Sequence, residues 1–322
     1  MLFLGIDGGG TKTDFVLCDE MGKILATQRL DSASHWQYDS DRLAGILDKG
    51  FHGVLQKSGK EASDVISAAF GMSGYGEDGE KDRASTRICE GFFKDIPVKI
   101  CNDSEIGLIG SLGFEPGINV INGTGAMAAG RDNSGRVDRA GGWGHEIGDE
   151  GSGYWLGMKL LEMFAKQSDG RIERTSLYGY VKEQLNIHRD FDIIALFHNE
   201  YCHDRSKTAS LQKILCDLAG QGDPWALALY DRSAADLVML AQALRDRMDF
   251  SDPVKVSYSG GVFEAGACIL GPFKEKLIDL GFAYAEPRFT PIEGTIILAA
   301  KQVGMHGALM EKLGHFGKRR PQ

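Results

Sequence analysis

Short apolar runs separated by glycine-rich turns open the chain. Residues 2–6 are apolar and β-favouring, residues 7–13 include three consecutive glycines, and residues 14–18 are apolar again. Two such runs joined by a tight turn predict a β-hairpin, and residues 23–29 extend the pattern by a third strand. The hydrophobic pattern therefore predicts strands, not a helix, at the start of the chain.

Helical and extended patterns alternate after residue 40, and the opening pattern recurs in the middle of the chain. Residues 118–129 again predict a strand, a glycine-containing turn and a strand, which is a weak internal repeat. Further helices are predicted over 41–57, 80–94, 267–280 and 293–303, and most of 176–250 is predicted to be helical. One more helix begins at about 104, and another ends near 166. Further strands are predicted over 65–70, 98–101 and 254–258. A polar tail is expected after residue 303.

The alternation of strands and helices predicts an α/β protein. Because tight turns join the early strands, each sheet is expected to be mixed and not wholly parallel. A length of 322 residues is sufficient for two domains. The glycine-flanked stretch 110–117 is the predicted boundary between them.

The composition narrows the class of partner. Hydrophobic residues make up 43% of the chain and charged residues 25%, so a sizeable core is available. A net charge of −9 argues against nucleic acid or an anionic membrane as the main partner. The six cysteines are scattered, no leader peptide is expected before residue 5, and no apolar run approaches the ~18 residues of a membrane span. These features predict a cytoplasmic protein.

The first glycine-rich turn, Asp7 to Thr13, is a candidate phosphate-binding element. Thr11 interrupts the Walker A spacing before Lys12, and a dinucleotide-binding turn would open a helix instead of a strand. Two interpretations remain: a hairpin whose amides and hydroxyls bind phosphate, or an ordinary glycine hairpin. In the first interpretation Asp7 holds Mg²⁺ through water. The nucleotide contacts would then come from Gly9, Gly10, Thr11, Lys12 and Thr13.

Two later turns favour the phosphate-binding interpretation. Gly123, Thr124 and Gly125 repeat the strand–turn–strand pattern, and two such turns can hold one polyphosphate. Gly260 and Gly261 lie between a predicted strand and a predicted helix, where the backbone can pack against the sugar and base of a nucleotide. A nucleotide site is thus predicted from three separate parts of the chain.

The segment 141–157 combines many glycines with Trp143, His145 and three carboxylates. Glycines at this density disfavour regular structure and are typical of a loop that lines a ligand site. His145 and Asp149 nearly reproduce a zinc-binding helix, but neighbouring glycines disfavour the helix and the second histidine is absent. We therefore predict a ligand-binding loop, with a core aromatic as the alternative for Trp143.

Asp103 follows a predicted strand and precedes a predicted helix. A carboxylate at the end of a strand in a cleft can accept a proton from an attacking hydroxyl. The alternative is that Asp103 caps the following helix. The residue types alone leave both roles open.

These motifs follow one another in a familiar order. Asp7 with its glycines, Asp103, the Gly123 turn and the Gly260 turn resemble the phosphate 1, connect 1, phosphate 2 and adenosine motifs of the actin/hexokinase/heat-shock ATPase superfamily. The resemblance implies two ribonuclease-H-like (actin-like ATPase) domains with mixed sheets flanked by helices, and ATP and sugar in the cleft between them. It also implies that the last helix returns to the first domain. The implied domains are 1–114 with 292–322, and 115–291.

Within this superfamily the chain resembles the N-acetylglucosamine kinases of the BadF/BadG/BcrA/BcrD ATPase family. Residues 141–153 closely match their Gly-Trp-Gly-His…Gly-Asp-Glu-Gly-Ser segment, and residues 34–36 match their Asn-His-Trp segment except at Ser34. The resemblance implies a homodimer that uses ATP and Mg²⁺ to phosphorylate the 6-hydroxyl of an amino sugar, above all N-acetylglucosamine, with Asp103 as catalytic base. The implied sugar contacts are Ser34, His35, Trp36, Asp103, Gly142, Trp143, Gly144, His145 and Asp149.

Other substrates and other functions remain as alternatives. Glucosamine, N-acetylmuramic acid and glucose are the alternative sugars. Activases of 2-hydroxyacyl-CoA dehydratases share the ATPase core, but they bind an iron–sulfur cluster through cysteines near the second turn, and residues 122–127 contain none. Non-enzymatic sugar-responsive regulators commonly add a DNA-binding module, which is not expected in this acidic chain.

Overall fold

The computed structural model describes residues 1–34 and 40–313. The chain divides into two compact units: unit 1 comprises Met1–Glu115 and the segment from Glu286 onward, and unit 2 comprises Pro116–Ala285. These limits lie one and six residues from the predicted boundaries at 114/115 and 291/292. The predicted site residues His35 and Trp36 lie outside the described residues.

Unit 1 contains a five-stranded mixed sheet in the order β3-β2-β1-β4-β5. Strands β1, β2 and β3 form an antiparallel meander, whereas β4 runs parallel to β1 and β5 parallel to β4. The elements before residue 116 are β1 (Leu2–Gly8), β2 (Lys12–Asp19), β3 (Ile24–Asp31), α1 (Ser40–Ser58), a 3-10 turn (Ala62–Asp64), β4 (Val65–Met72), α2 (Gly79–Phe92), β5 (Val98–Asn102) and α3 (Asp103–Leu112). The carboxyl ends of β1, β4 and β5 therefore meet at one edge of the sheet.

Unit 2 repeats this topology in a second five-stranded sheet, in the order β10-β9-β6-β7-β8. An antiparallel meander of β6, β7 and β8 again lies beside two parallel strands. Its elements are β6 (Gly117–Asn122), β7 (Ala126–Arg131), β8 (Val137–Gly141), α4 (Gly153–Ser168), α5 (Ser176–Gln184), α6 (Asp192–Leu196), a π-helical turn (Phe197–Tyr201), α7 (Arg205–Ser210), α8 (Gln212–Gly220), α9 (Pro224–Arg245), β9 (Lys255–Ser259), a 3-10 helix (Gly261–Ala265), α10 (Ala267–Asp279) and β10 (Ala283–Tyr284). The predicted internal repeat is confirmed as a repeat of sheet topology.

After unit 2 the chain returns to unit 1 as α11 (Pro291–Gln302) and α12 (His306–Leu313). A capping box starts α11: the Thr290 hydroxyl accepts from the Glu293 N–H at 3.3 Å, and the Glu293 carboxylate accepts from the Thr290 N–H at 2.9 Å. Pro291 at the first helical position has no N–H to satisfy. The capping box and the proline together explain why α11 begins at Pro291.

Each unit has its own apolar core. In unit 1, α1 contributes buried residues at helical spacing, including Leu43, Leu47 and Val54, to a core on one face of the sheet. On the other face α11 contributes Ile296 and Ile297 to a second core. In unit 2, α4, α8, α9 and α10 cover β6 and β9 with one continuous apolar core.

Three elements differ from the sequence prediction. Strands β8 and β10 were not predicted, because β8 has few apolar residues and β10 has only two residues, and both depend on pairing with a neighbouring strand. The expectation of a polar tail after residue 303 is wrong for α12, whose Leu309 and Leu313 are buried in unit 1. Two buried residues are too few to form a recognisable pattern.

Backbone hydrogen bonds explain why unit 1 resumes before the predicted residue 292. The Arg288 N–H donates to the Ser111 carbonyl at 3.0 Å, and the Phe289 N–H donates to the Gly110 carbonyl at 2.8 Å. These bonds attach the segment before α11 to the end of α3.

In the described part of the chain, no helix combines the length and the apolarity needed to cross a membrane.

Candidate active site

Two carboxylates lie at the carboxyl edge of the unit 1 sheet. Asp7 is near the end of β1, where it pairs with Gly71, and Asp103 is the first residue of α3, directly after β5. The helix cap is Asn102, whose Oδ1 accepts from the Ser104 N–H at 3.0 Å and from its hydroxyl at 2.6 Å. The alternative in which Asp103 is the N-cap of α3 is therefore wrong.

The two carboxylates influence each other. Burial, with the negative charges of Asp103 and Asp14 as smaller causes, raises the pKa of Asp7 to about 7, whereas the charge of Lys12 lowers it. A pair of nearby carboxylates at a sheet edge has the oxygen chemistry that Mg²⁺ prefers, with water completing the coordination. The residues present thus fit a hydrated Mg²⁺ ion at Asp7.

Hydrogen bonds hold the first turn against the segment that follows β3. The Ser32 hydroxyl donates to the Gly9 carbonyl at 2.9 Å and accepts from the Ser34 N–H at 3.0 Å. The Thr13 hydroxyl is fully buried and accepts from the Ala33 N–H at 2.8 Å. The structure thus gives Thr13 a supporting role, and its predicted contact with nucleotide stays a prediction.

The tip of the same turn is accessible. Gly10, Thr11 and Lys12 are exposed, and the Lys12 ammonium lies 3.3 Å from Asp14. Ser34, predicted to contact sugar, is buried beside this turn. The predicted phosphate contacts of the first turn and the described part of the predicted sugar segment therefore lie together in unit 1.

The second turn is fixed by the start of α4. Within the turn the Gly123 N–H donates to the Gly125 carbonyl at 2.9 Å. The first two amides of α4, from Gly153 and Tyr154, donate to the carbonyls of Gly123 and Thr124 at 2.8 and 3.2 Å. The turn conformation therefore depends on the end of the glycine-rich loop, which leads directly into α4.

The third turn packs against the second. Gly260 has φ +106°, and a side chain there would overlap the Asn122 carbonyl at the end of β6. The Asn122 amide donates to the Gly151 carbonyl at 3.2 Å, while its side-chain oxygen is buried without a hydrogen-bond partner. The second turn, the third turn and the end of the glycine-rich loop therefore form one cluster in unit 2.

The glycine-rich loop, residues 141–152, is irregular and partly exposed. Positive φ angles occur at Gly141, Gly142, Gly144, Asp149 and Gly151. Trp143 is 72% exposed, so the alternative in which it is a core aromatic is wrong. The His145 ring packs edge-on against Tyr154 with centroids 4.7 Å apart, and its Nδ1 lies 3.0 Å from a Glu146 carboxylate oxygen. Trp143 therefore offers a free aromatic face, with His145 held nearby in the loop.

Asp149 lies in the glycine-rich loop, and its predicted contact with sugar stays a prediction. Its carboxylate is buried, accepts from the Ala126 N–H at 3.2 Å and pairs with Arg205 at 2.8 Å. Sequence reasoning missed Arg205, because it lies in the helical region 176–250 and belongs to no motif. The pair joins the glycine-rich loop, the second turn and α7.

Among residues 1–34 and 40–313, no group of three or more His, Cys, Asp or Glu side chains could hold a metal ion. A cavity of about 280 Å³ in unit 2 is lined by Ala126, Gly141, Glu150, Asp236, Met239 and Leu240. Burial and the charge of Glu150 raise the pKa of Asp236, whereas the charge of Arg232 lowers it.

Several characterised proteins are similar to this chain along most of its length. An N-acetyl-D-glucosamine kinase of Dictyostelium discoideum is 28% identical over 288 residues, which cover 86% of this chain and 90% of that protein. An N-acetylmuramic acid/N-acetylglucosamine kinase of Clostridium acetobutylicum is 28% identical over 264 residues, which cover 80% of this chain and 84% of that protein.

The fold and the family are confirmed by two further comparisons. A crystal structure of a Chromobacterium violaceum protein, provisionally named an N-acetylglucosamine kinase, has a TM-score of 0.72 at 24% identity and covers 92% of this chain and 98% of that chain. At this identity the likeness shows the fold alone, and the predicted fold class is confirmed. The model of one protein family matches residues 4–299. The chain therefore belongs to the BadF/BadG/BcrA/BcrD ATPase family.

Proposed function

We propose that this protein is an ATP-dependent amino-sugar kinase that phosphorylates the 6-hydroxyl of N-acetylglucosamine. The observation that carries the proposal is the pairing of Asp7 and Asp103 at the carboxyl edge of the unit 1 sheet, beside an exposed glycine-rich turn. One carboxylate suits a magnesium ion and the other suits proton acceptance, which are the two tasks that phosphoryl transfer requires. The kinases of Dictyostelium and Clostridium support the same reading.

Asp103 accepts the proton of the attacking hydroxyl in this proposal. Its place supports this role, because Asp103 directly follows β5 at the carboxyl edge of the sheet and Asn102, not Asp103, caps α3. Asp7 would hold Mg²⁺ through water, and the ion would supply charge neutralisation for phosphoryl transfer. Gly9 to Lys12 of the first turn, Gly123 to Gly125 of the second and Gly260 with Gly261 of the third would hold the nucleotide. Catalysis then rests on positioning and charge stabilisation.

The glycine-rich loop is the proposed sugar-binding element of unit 2. The exposed ring of Trp143 can stack on the apolar face of a sugar, and His145 and Gly142 to Gly144 can hydrogen-bond its polar groups. In unit 1, Ser34 is the described residue of the proposed sugar segment, with a hydroxyl where the resembled kinases often have a carboxamide. Asp149, in the same loop, accepts from the Ala126 N–H and so connects the loop to the end of the second turn.

A coupled ADP-release assay with Mg²⁺ across a panel of sugars tests the proposal. The panel comprises N-acetylglucosamine, glucosamine, N-acetylmuramic acid and glucose, and ATP without sugar measures uncoupled hydrolysis. Burial of the acetyl methyl is worth ~1–3 kcal/mol, so kcat/KM for N-acetylglucosamine should exceed that for glucose by about 10–200-fold. A higher kcat/KM for another sugar would overturn the N-acetyl assignment, and no sugar-dependent ADP release would overturn the kinase.

A further inference from the structure

Asp149 occupies a buried position between two parts of the unit 2 site. It has φ +61°, which is uncommon for a residue other than glycine, and its side chain is only 4% exposed. Oδ1 accepts from the Ala126 N–H at 3.2 Å, and the carboxylate lies against Gly125. The glycine-rich loop is thus tied to the second turn through one carboxylate.

Burial opposes the ionisation of this carboxylate. Burial raises the pKa of Asp149 and the charge of Glu150 adds to the effect, whereas the Ala126 N–H, Arg205 and His145 lower it. His145 and Glu150 belong to the same loop as Asp149, and Arg205 is the residue of α7 that pairs with Asp149. Arg205 is the permanent cation among them, and its Nη2 lies 2.8 Å from Asp149 Oδ2.

Arg205 is held in place by the packing of α7 on α4. Asp204 caps α7 by accepting from two amides of its first turn, both at 3.0 Å. The backbone of α7 approaches α4 so closely that a side chain at Gly157 would overlap the Thr208 carbonyl. Because α4 begins where the glycine-rich loop ends, Arg205 has a fixed place relative to that loop.

We infer that Arg205 is a positioning residue of the proposed kinase, acting through Asp149 to fix the glycine-rich loop relative to the second turn. The inference rests on the proposed function. Arg205 is 44% exposed, and an ion pair at the surface contributes little by itself. This pair contributes more because its other partner, Asp149, is buried. A buried carboxylate that loses its cation keeps a negative charge that nothing nearby neutralises.

Activity over a range of pH tests the role of Arg205 in catalysis. In Arg205→Met, Asp149 should protonate at higher pH, so the acid limb of the kcat/KM profile for the amino sugar should move to higher pH. Below neutrality kcat/KM should fall by up to about 10²-fold, the scale of a small misplacement at a reacting site. Arg205→Lys should restore most of the wild-type profile. Lys207→Met is the matched control, because Lys207 is in the same helix but pairs with Glu200.

Thermal unfolding over the same pH range gives a readout that does not depend on activity. In Arg205→Met the folded-state pKa of Asp149 should rise further above its unfolded value, so stability should be lost more steeply than in wild type as pH rises. Adding Asp149→Asn to Arg205→Met should abolish this extra pH dependence, because the amide carries no charge. Arg205→Lys covers the case in which Arg205→Met does not fold.

The outcomes separate this inference from the proposed function. Unchanged pH profiles of both kcat/KM and melting temperature in a folded Arg205→Met protein would overturn the positioning role. An equal loss in Lys207→Met would also overturn it, since that would indicate general damage to α7. If wild type phosphorylates no sugar, the proposed function fails, while the melting experiment still decides whether Arg205 stabilises the Asp149 charge.

Discussion

At the residue scale, two carboxylates dominate the electrostatics of unit 1. Burial raises the pKa of Asp7, and the neighbouring charge of Asp103 adds to the shift. The N-cap of α3 is Asn102 and not Asp103. Carboxylates that are kept close despite their repulsion are typical of sites that bind a cation or transfer a proton. Two predictions follow from their different roles.

Replacement of Asp103 by asparagine tests the proton acceptor. The side chain keeps its size at the first position of α3, so the fold and nucleotide binding should persist. The kcat for the best sugar should fall by at least ~10², the scale of a lost general base. Steady-state kinetics together with nucleotide titration separate the two effects, and near-normal turnover of a folded Asp103→Asn protein would remove Asp103 from the mechanism.

Titration of Asp7 should make stability depend on pH. Its pKa of about 7 lies above the ordinary 3.8, so its contribution to stability is fully present below the unfolded value and is lost as pH rises through the folded one. Without Mg²⁺, the melting temperature should therefore fall more between about pH 4 and pH 7 in wild type than in Asp7→Asn. Mg²⁺ should reduce this fall, because a cation favours the ionised form. Parallel melting curves for the two proteins without Mg²⁺ would contradict this assignment.

At the element scale, turns at strand ends are held by other turns and not by the strands alone. The second turn depends on the first amides of α4, and the third turn fits beneath the Asn122 carbonyl only because residue 260 has no side chain. The glycine-rich loop that precedes α4 is linked to the same cluster through Gly151 and Asp149. A change in one of these elements should therefore affect the others.

Adjacent glycines in the third turn provide a matched test of this packing. Gly260→Ala places a side chain at φ +106° and against the Asn122 carbonyl, so it should lower the free energy of unfolding by about 1–3 kcal/mol and weaken nucleotide binding. Gly261→Ala meets no atom within 4 Å and should leave stability nearly unchanged. Chemical denaturation of both variants checks the difference. Equal losses of stability in the two variants would show that the contact between residue 260 and Asn122 does not hold the third turn against the second.

At the scale of the whole molecule, the two units differ in how the chain completes them. Unit 2 is one continuous segment, Pro116–Ala285, with its own core, whereas unit 1 needs α11, which contributes Ile296 and Ile297 from the far end of the sequence. Both units carry proposed site residues, since Asp7 and Asp103 belong to unit 1 and the glycine-rich loop to unit 2. Folding and activity should therefore be separable by truncation.

Fragments of the chain test this difference. Residues 116–285 should unfold cooperatively in a circular dichroism melt but transfer no phosphoryl group, because they lack Asp103. Residues 1–115 should show no cooperative transition, because the apolar face that α11 covers would be exposed to water. A cooperative melt of residues 1–115, or none for 116–285, would show that this account of the two cores is wrong.

The sequence by itself determined the α/β class, the mixed sheets, the three glycine turns and the strand that leads to Asp103. These features follow from local patterns, namely apolar runs, helical spacing and glycines at tight turns. Only the tertiary structure decided that Thr13 is buried under Ala33, that Asn102 caps α3, that Trp143 is exposed and that Arg205 pairs with Asp149 across 56 residues of sequence. Burial and the pairing of charges between distant segments depend on how the helices pack, and no local pattern encodes them.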